Sequence, residues 1–157
     1  MNENDQSLRD HLKSLLNGAE AHVNFDDFVA GFPAELCGES IAGLPYTPWQ
    51  VLEHMRIAQW DILEFSRNPK HVSPKWPEGY WPKENQQGNI ELWNETVDRF
   101  GKDAKEMAAL VTASNSDLFK KIPHGNGQTL LREALLVADH NSYHLGVLLV
   151  MGRILKK

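Results

Sequence analysis

The chain is nearly without cysteine. Cys37 stands alone among 157 residues, so no internal disulfide can form and no CxxC redox or zinc pattern exists. An excess of positive charge is also missing. Sixteen Lys and Arg against 21 Asp and Glu leave a net charge of −5. That balance argues against binding nucleic acid by phosphate neutralisation, and against a polybasic membrane anchor. Long hydrophobic runs are absent too: stretches such as Val147 to Met151 fall far short of the ~20 residues that cross a bilayer. The opening residues are polar and acidic, unlike the basic start and apolar run of a secretory signal. With one unpaired thiol, a cytoplasmic location is expected. The hydrophobic share of 41% and charged share of 24% are those of an ordinary folded chain. The length suits a single domain over 1–157.

What is present is helical periodicity, in four segments. Leu8, Leu12, Leu15 and Leu16 form one stripe, closed by Asn17-Gly18. Asn24 with Asp27 marks a short helical turn that Pro33 limits. The second segment opens on Thr47-Pro48-Trp49-Gln50, a capping box with proline at the first helical position. It turns Val51, Met55, Ala58, Ile62 and Phe65 to one buried face and stops at Asn68-Pro69. The third runs from about Gln87 to Ala113 on Ile90, Trp93, Val97, Phe100, Ala104, Met107 and Val111. Gly101 weakens it by about 1 kcal/mol relative to Ala. The fourth follows Gly125-Asn126-Gly127 with Thr129 as its cap, and carries Leu130, Ala134, Val137, His140, His144, Val147 and Met151. No segment alternates with period two for long enough to form a strand. The expected fold class is all-α, a four-helix bundle.

The connection from Asn68 to about Gln86 interleaves Pro69, Pro74, Pro77 and Pro82 with Trp76, Tyr80 and Trp81. An extended Pro-rich stretch covers ~3.1 Å per residue, enough to travel the ~30 Å of a 20-residue helix. We read it as a crossover joining parallel second and third helices, strapped to the bundle by its aromatic side chains. The alternative is a long ordered loop between antiparallel helices. Trp49, Trp60 and Trp93 lie on helices, where packing, a pocket wall and a dimer surface are all open uses.

Seven histidines divide by position. His140 and His144 are spaced i, i+4 and project from the apolar face of the fourth helix, where two imidazoles can share one metal ion. The competing use of such a pair is ordinary buried histidine. His54 lies about 10 Å into the second helix, and His144 about 15 Å from the end of the fourth. In an antiparallel arrangement these depths match. Three inward histidines from two helices leave metal positions open, as catalytic zinc sites do. His11 and His22 have no partner at metal spacing, and His71 and His124 lie in the crossover and in the Ile122–Gly125 turn; all four read as surface or loop residues, with a site mouth the alternative for His124.

Trp49-Gln-Val-Leu-Glu-His54, Asp139-His140-Asn-Ser-Tyr-His144-Leu-Gly146 and Gly127-Gln-Thr-Leu-Leu-Arg-Glu133 resemble the DinB-like family of bacterial four-helix bundles, which is related to the bacillithiol transferases. The resemblance covers Leu8 to about Leu155. It implies an up-down-down-up bundle and a divalent metal, nickel or zinc in many members, held by His54, His140 and His144. It further implies chemistry of the kind seen in thiol-dependent transferases and isomerases, and often a homodimer. Many members have no assigned reaction.

Three neutral imidazoles leave the ion its full charge, so a bound thiol or water loses its proton more readily. The expected function is therefore a metal-dependent enzyme, transferase-like with a low-molecular-weight thiol or hydrolase-like with water. A non-enzymatic ligand- or metal-binding module with a vestigial site is the alternative. Asp61 and Glu133 fall on the histidine stripes two turns away, where a carboxylate orients an imidazole or takes a proton. Each also reads as a solvated or helix-end carboxylate, Glu133 more so because a first-turn negative charge is favourable in any case. Asp61 and Tyr143 are the catalytic candidates, and Tyr143 and Arg132 are placed to contact substrate. Cys37, in the Pro33–Pro45 connection, is a bystander.

Overall fold

Side-chain caps set where the helices begin. In the computed structural model, which describes residues 2–18, 21–83 and 85–156, α1 spans Glu3–Leu16 and α2 Phe25–Gly31. Asn2 and Asn24 cap them, accepting from the backbone at Asp5 and Asp27. The capping box expected at Thr47 is complete: the Gln50 amide donates to Thr47 Oγ1 at 3.3 Å, and the Thr47 amide to Gln50 Oε1 at 2.9 Å. It opens α3, Pro48–Arg67. Asn89 and Thr129 cap α4, Ile90–Thr112, and α5, Leu130–Leu155. Two single-turn 3₁₀ segments, Ala34–Leu36 and Glu78–Tyr80, lie in the connections. Among the described residues there is no strand. The fold is an all-helical bundle.

Side-chain pairings give the helix directions. Trp49 meets Thr96, Gln59 meets the Phe100 carbonyl and Arg67 meets Glu106, so numbers rise together along α3 and α4. Those two helices run parallel. Between α3 and α5 the order reverses: His54 meets His144, Gln59 meets Asn141, and Phe65 meets His124 just ahead of α5. The chain from Asn68 to Asn89 travels back along the bundle to make this possible. It is fastened at Asp61, His54 and Gln50, while Gly88 passes so close to Trp49 that a Cβ there would collide with the indole.

Two apolar cores form. One gathers Phe28, Phe32, Trp49, Leu52, Met55, Trp93, Phe100, Leu148 and Met151. The other gathers Leu12, Leu63, Met107, Val111, Leu118, Leu130 and Val137. The helix α3 is buried almost all round, with Leu52, Met55 and Leu63 at 0% exposure. Leu15 and Ile90 were expected in the core and are exposed instead. They occupy the last turn of α1 and the first residue of α4, where the stripe runs past its neighbours.

Candidate metal centre

The i, i+4 geometry of α5 turns His140 and His144 toward α3, where His54 faces them from the antiparallel direction. The Nε2 atoms of His140 and His144 each lie 3.2 Å from Nε2 of His54. Two nitrogens bound to one zinc at its usual distance and tetrahedral angle lie roughly 3.3 Å apart. The three donor atoms all fall within 4.8 Å of one another, and this is the one such group of three His, Cys, Asp or Glu ligands among the described residues. The donor set, three imidazole nitrogens, fits a divalent transition-metal ion.

His54 is the most rigidly held of the three. Its Nδ1–H donates to the Tyr80 carbonyl at 2.8 Å, which leaves the Nε2 lone pair directed at the other two rings. Trp81 lies flat on the imidazole, 3.9 Å between centroids and 2° between planes. Tyr46 covers the other face of Trp81 at 3.9 Å. The crossover therefore supplies both the acceptor and the lid for one ligand.

Burial is the main cause of the electrostatic character of the site. It lowers the His54 pKa, against the opposing effect of the Tyr80 hydrogen bond. Burial, then the charge of His54, brings His140 down to about 4. His144 is brought to about 4 by burial and by the other two histidines. All three are neutral near pH 7, the form that ligates metal.

Asp61 is buried, and both its oxygens are taken: His71 Nε2 donates to one at 2.7 Å, the Tyr80 hydroxyl to the other at 2.6 Å. It reaches His54 through Tyr80, whose hydroxyl it holds and whose carbonyl holds the imidazole. Burial and Asp61 together raise the Tyr80 pKa to about 12, so the phenol stays protonated. His71 is not the loop-surface residue the sequence indicates, because its side chain is 6% exposed and paired. Only the aperiodic path of the crossover brings it to Asp61, and no spacing rule reports that.

Glu133 is buried rather than solvated, and takes two bonds from Nη1 of the Arg132 guanidinium, whose side chain is otherwise largely exposed. Tyr143 is exposed, with its ring edge-on to His144 at 4.8 Å. Trp60 packs edge-on against His71, and Trp76 lies largely in solvent. A groove of about 1060 Å³ opens beside the centre, lined by Tyr46, Thr47, Gln50, Trp81, Lys83 and Gln86 among others. No histidine lines it. Trp81 is the wall it shares with the metal centre.

A helical bundle that directs three neutral imidazoles from two antiparallel helices at one point belongs to the class of all-α proteins with a metal-type site in the bundle interior. A family model of the DinB superfamily matches residues 19–148, and the chain belongs to that superfamily. No curated protein and no solved structure matches it.

Proposed function

We propose that the protein is a metal-dependent enzyme in which His54, His140 and His144 hold a divalent ion, zinc or nickel. Its nucleophile is a low-molecular-weight thiol, as in a transferase, or water, as in a hydrolase, and its substrate is a small molecule. The convergence of the three neutral Nε2 atoms carries this reading. A bound divalent ion supplies the charge that makes a neighbouring thiol or water more acidic, with coordination positions to spare beyond three protein ligands. The Tyr80 carbonyl and Trp81 hold His54 in the ligating orientation, and Asp61 holds Tyr80. Tyr143 stands at the solvent side of His144, where it is placed to touch substrate. Cys37 is 1% exposed and burial raises its pKa, so it stays a protonated thiol out of reach. The nucleophile comes from outside the chain.

A reduced, buried Cys37 favours a cytoplasmic setting, and no helix among the described residues is long and apolar enough to cross a membrane. Exposed Leu135, Tyr143, Val150 and Ile154 share one side of α5 and support a homodimer. A single monomeric species in sedimentation at working concentration counts against that part.

The test is elemental analysis of untagged protein. Wild type should carry close to one ion per chain, and a His54→Ala/His140→Ala variant should carry almost none. Equal content in the two removes the site. Metal-loaded protein is then screened with bacterial thiols and electrophiles, and with simple esters and amides. Metal-dependent turnover supports the enzyme, whereas ligand-induced stabilisation without turnover supports a binding module.

A further inference from the structure

The side of α5 that faces away from the bundle is unusually apolar. From Leu135 to Arg153 its exposed residues recur at steps of three and four, with Ile154 beside the last, so they form one continuous stripe. Four of them, Leu135, Tyr143, Val150 and Ile154, are large hydrophobics at 42–69% exposure. Gly146 lies near the middle of the stripe, where a Cβ would meet nothing within 4 Å. A helix face held in water normally carries charged or amide groups, and an apolar stripe of this kind marks a contact surface.

The charges on the stripe say what covers it. Apart from the histidines, the chain between Leu135 and Ile154 has two ionisable residues, Asp139 and Arg153. Both are exposed, and neither belongs to an ion pair among the described residues. Asp139 is seven residues before Gly146, and Arg153 seven after it. Each therefore lies about 10 Å from the glycine along the helix axis, in opposite directions. A two-fold axis through Gly146 that lays a second α5 antiparallel on the first sets each residue opposite the one equally far beyond the glycine. Asp139 then faces the partner's Arg153, and Arg153 faces the partner's Asp139. At a crossing angle of about 20° these positions stay within reach of an arginine side chain. A two-fold contact must be self-complementary, and opposite charges set symmetrically about its centre meet that condition. An anionic bilayer fits the stripe less well, given Asp139 within it and a net charge of −5.

We propose that the stripe seats a second copy of this chain, with the two α5 helices crossing antiparallel at Gly146 and Asp139 paired to Arg153 on both sides. This deepens the homodimer reading above and rests on it; it does not depend on the metal. Tyr143 falls against the partner's Leu149 and Val150, and the two glycines let the backbones approach at the crossing. The ring of Tyr143 is edge-on to His144 at 4.8 Å. The second copy thus braces the side chain that stands at the solvent side of His144, and the interface adjoins both metal centres.

Sedimentation velocity of the untagged full chain tests the pairing. Wild type should sediment as a dimer. Asp139→Arg and Arg153→Asp each set two like-charged pairs across the contact, and each should weaken the dimer by about tenfold or more. The double variant Asp139→Arg/Arg153→Asp restores opposite charges, so its dimer affinity should return to within about threefold of wild type. Gly146→Leu puts bulk at the crossing where the chain itself leaves space, so it should give a folded monomer. A dimeric wild type that ignores the single reversals, or a double variant that stays monomeric, overturns this register and leaves the homodimer reading standing. A monomeric wild type removes that reading and the proposal together, and leaves the stripe to a different protein. Metal content, measured as above, is read separately from each of these outcomes.

Discussion

At the scale of single residues, the three imidazoles give the molecule a defined response to acid. His140 and His144 titrate at about 4 in the folded protein, against about 6.5 in an unfolded chain. Between those values the unfolded chain takes up protons that the folded one refuses. Stability of the metal-free protein should therefore fall as pH drops from about 6.5 to about 4, then level off with respect to these groups. Urea midpoints measured across that range should decline, and a His140→Gln/His144→Gln variant should show a flatter profile. Parallel profiles in the two proteins would remove the histidines as the cause. The convergence of His140 and His144 was legible in the sequence because i, i+4 spacing on an apolar helix face states direction as well as position. His71 was not, and neither were Gln59 and Asn141 as partners. Their contacts join elements far apart in the chain, and no periodicity records those.

At the scale of elements, the crossover works as a clasp whose latch is Asp61. Asp61→Ala leaves the Tyr80 hydroxyl and His71 without their acceptor. It should cost about 1–3 kcal/mol in urea denaturation and loosen metal binding. Tyr80→Phe removes the hydroxyl by which Asp61 holds Tyr80, so it should loosen metal binding in the same direction as Asp61→Ala while stability drops by about 1 kcal/mol. Unchanged affinity in Tyr80→Phe beside a loss in Asp61→Ala would mean that Asp61 does not act on His54 through Tyr80. The Pro-rich composition and the aromatic spacing made a long strapped connection legible. Which aromatics do the strapping depended on tertiary packing: Trp81 seals His54, whereas Trp76 faces solvent. The capping box was readable to the residue because it is a wholly local motif. Thr47→Ala should lower stability by about 1 kcal/mol in thermal or urea denaturation without altering metal content.

At the scale of the whole molecule, Arg9 ties α1 to the C-terminal end of α4. From α1 it donates to the carbonyls of Val111, Ala113 and Ser116 beyond and at the C-terminal end of α4, to the Ser116 hydroxyl, and to Asp5. Nothing in the leucine stripe of α1 marked it as buried, since a charged residue beside a stripe reads as solvated until its acceptors are known. Arg9→Met should cost about 2–3 kcal/mol in urea denaturation, because it strips one buried and two part-buried carbonyls of their donor. A change under about 0.5 kcal/mol would make it an ordinary surface position.

The division of the interior into two apolar cores has a mechanical side. The cores are separated by Gln59 on α3 and by His140, Asn141 and His144 on α5, each matched to a partner on another helix. Sliding any of these helices by one turn would push an amide or an imidazole into a layer of leucine and methionine. The belt therefore acts as a vernier that sets the axial register of the bundle, a use of buried polar groups known from coiled coils. The three histidines keep their relative heights because slippage would set these polar groups among apolar side chains.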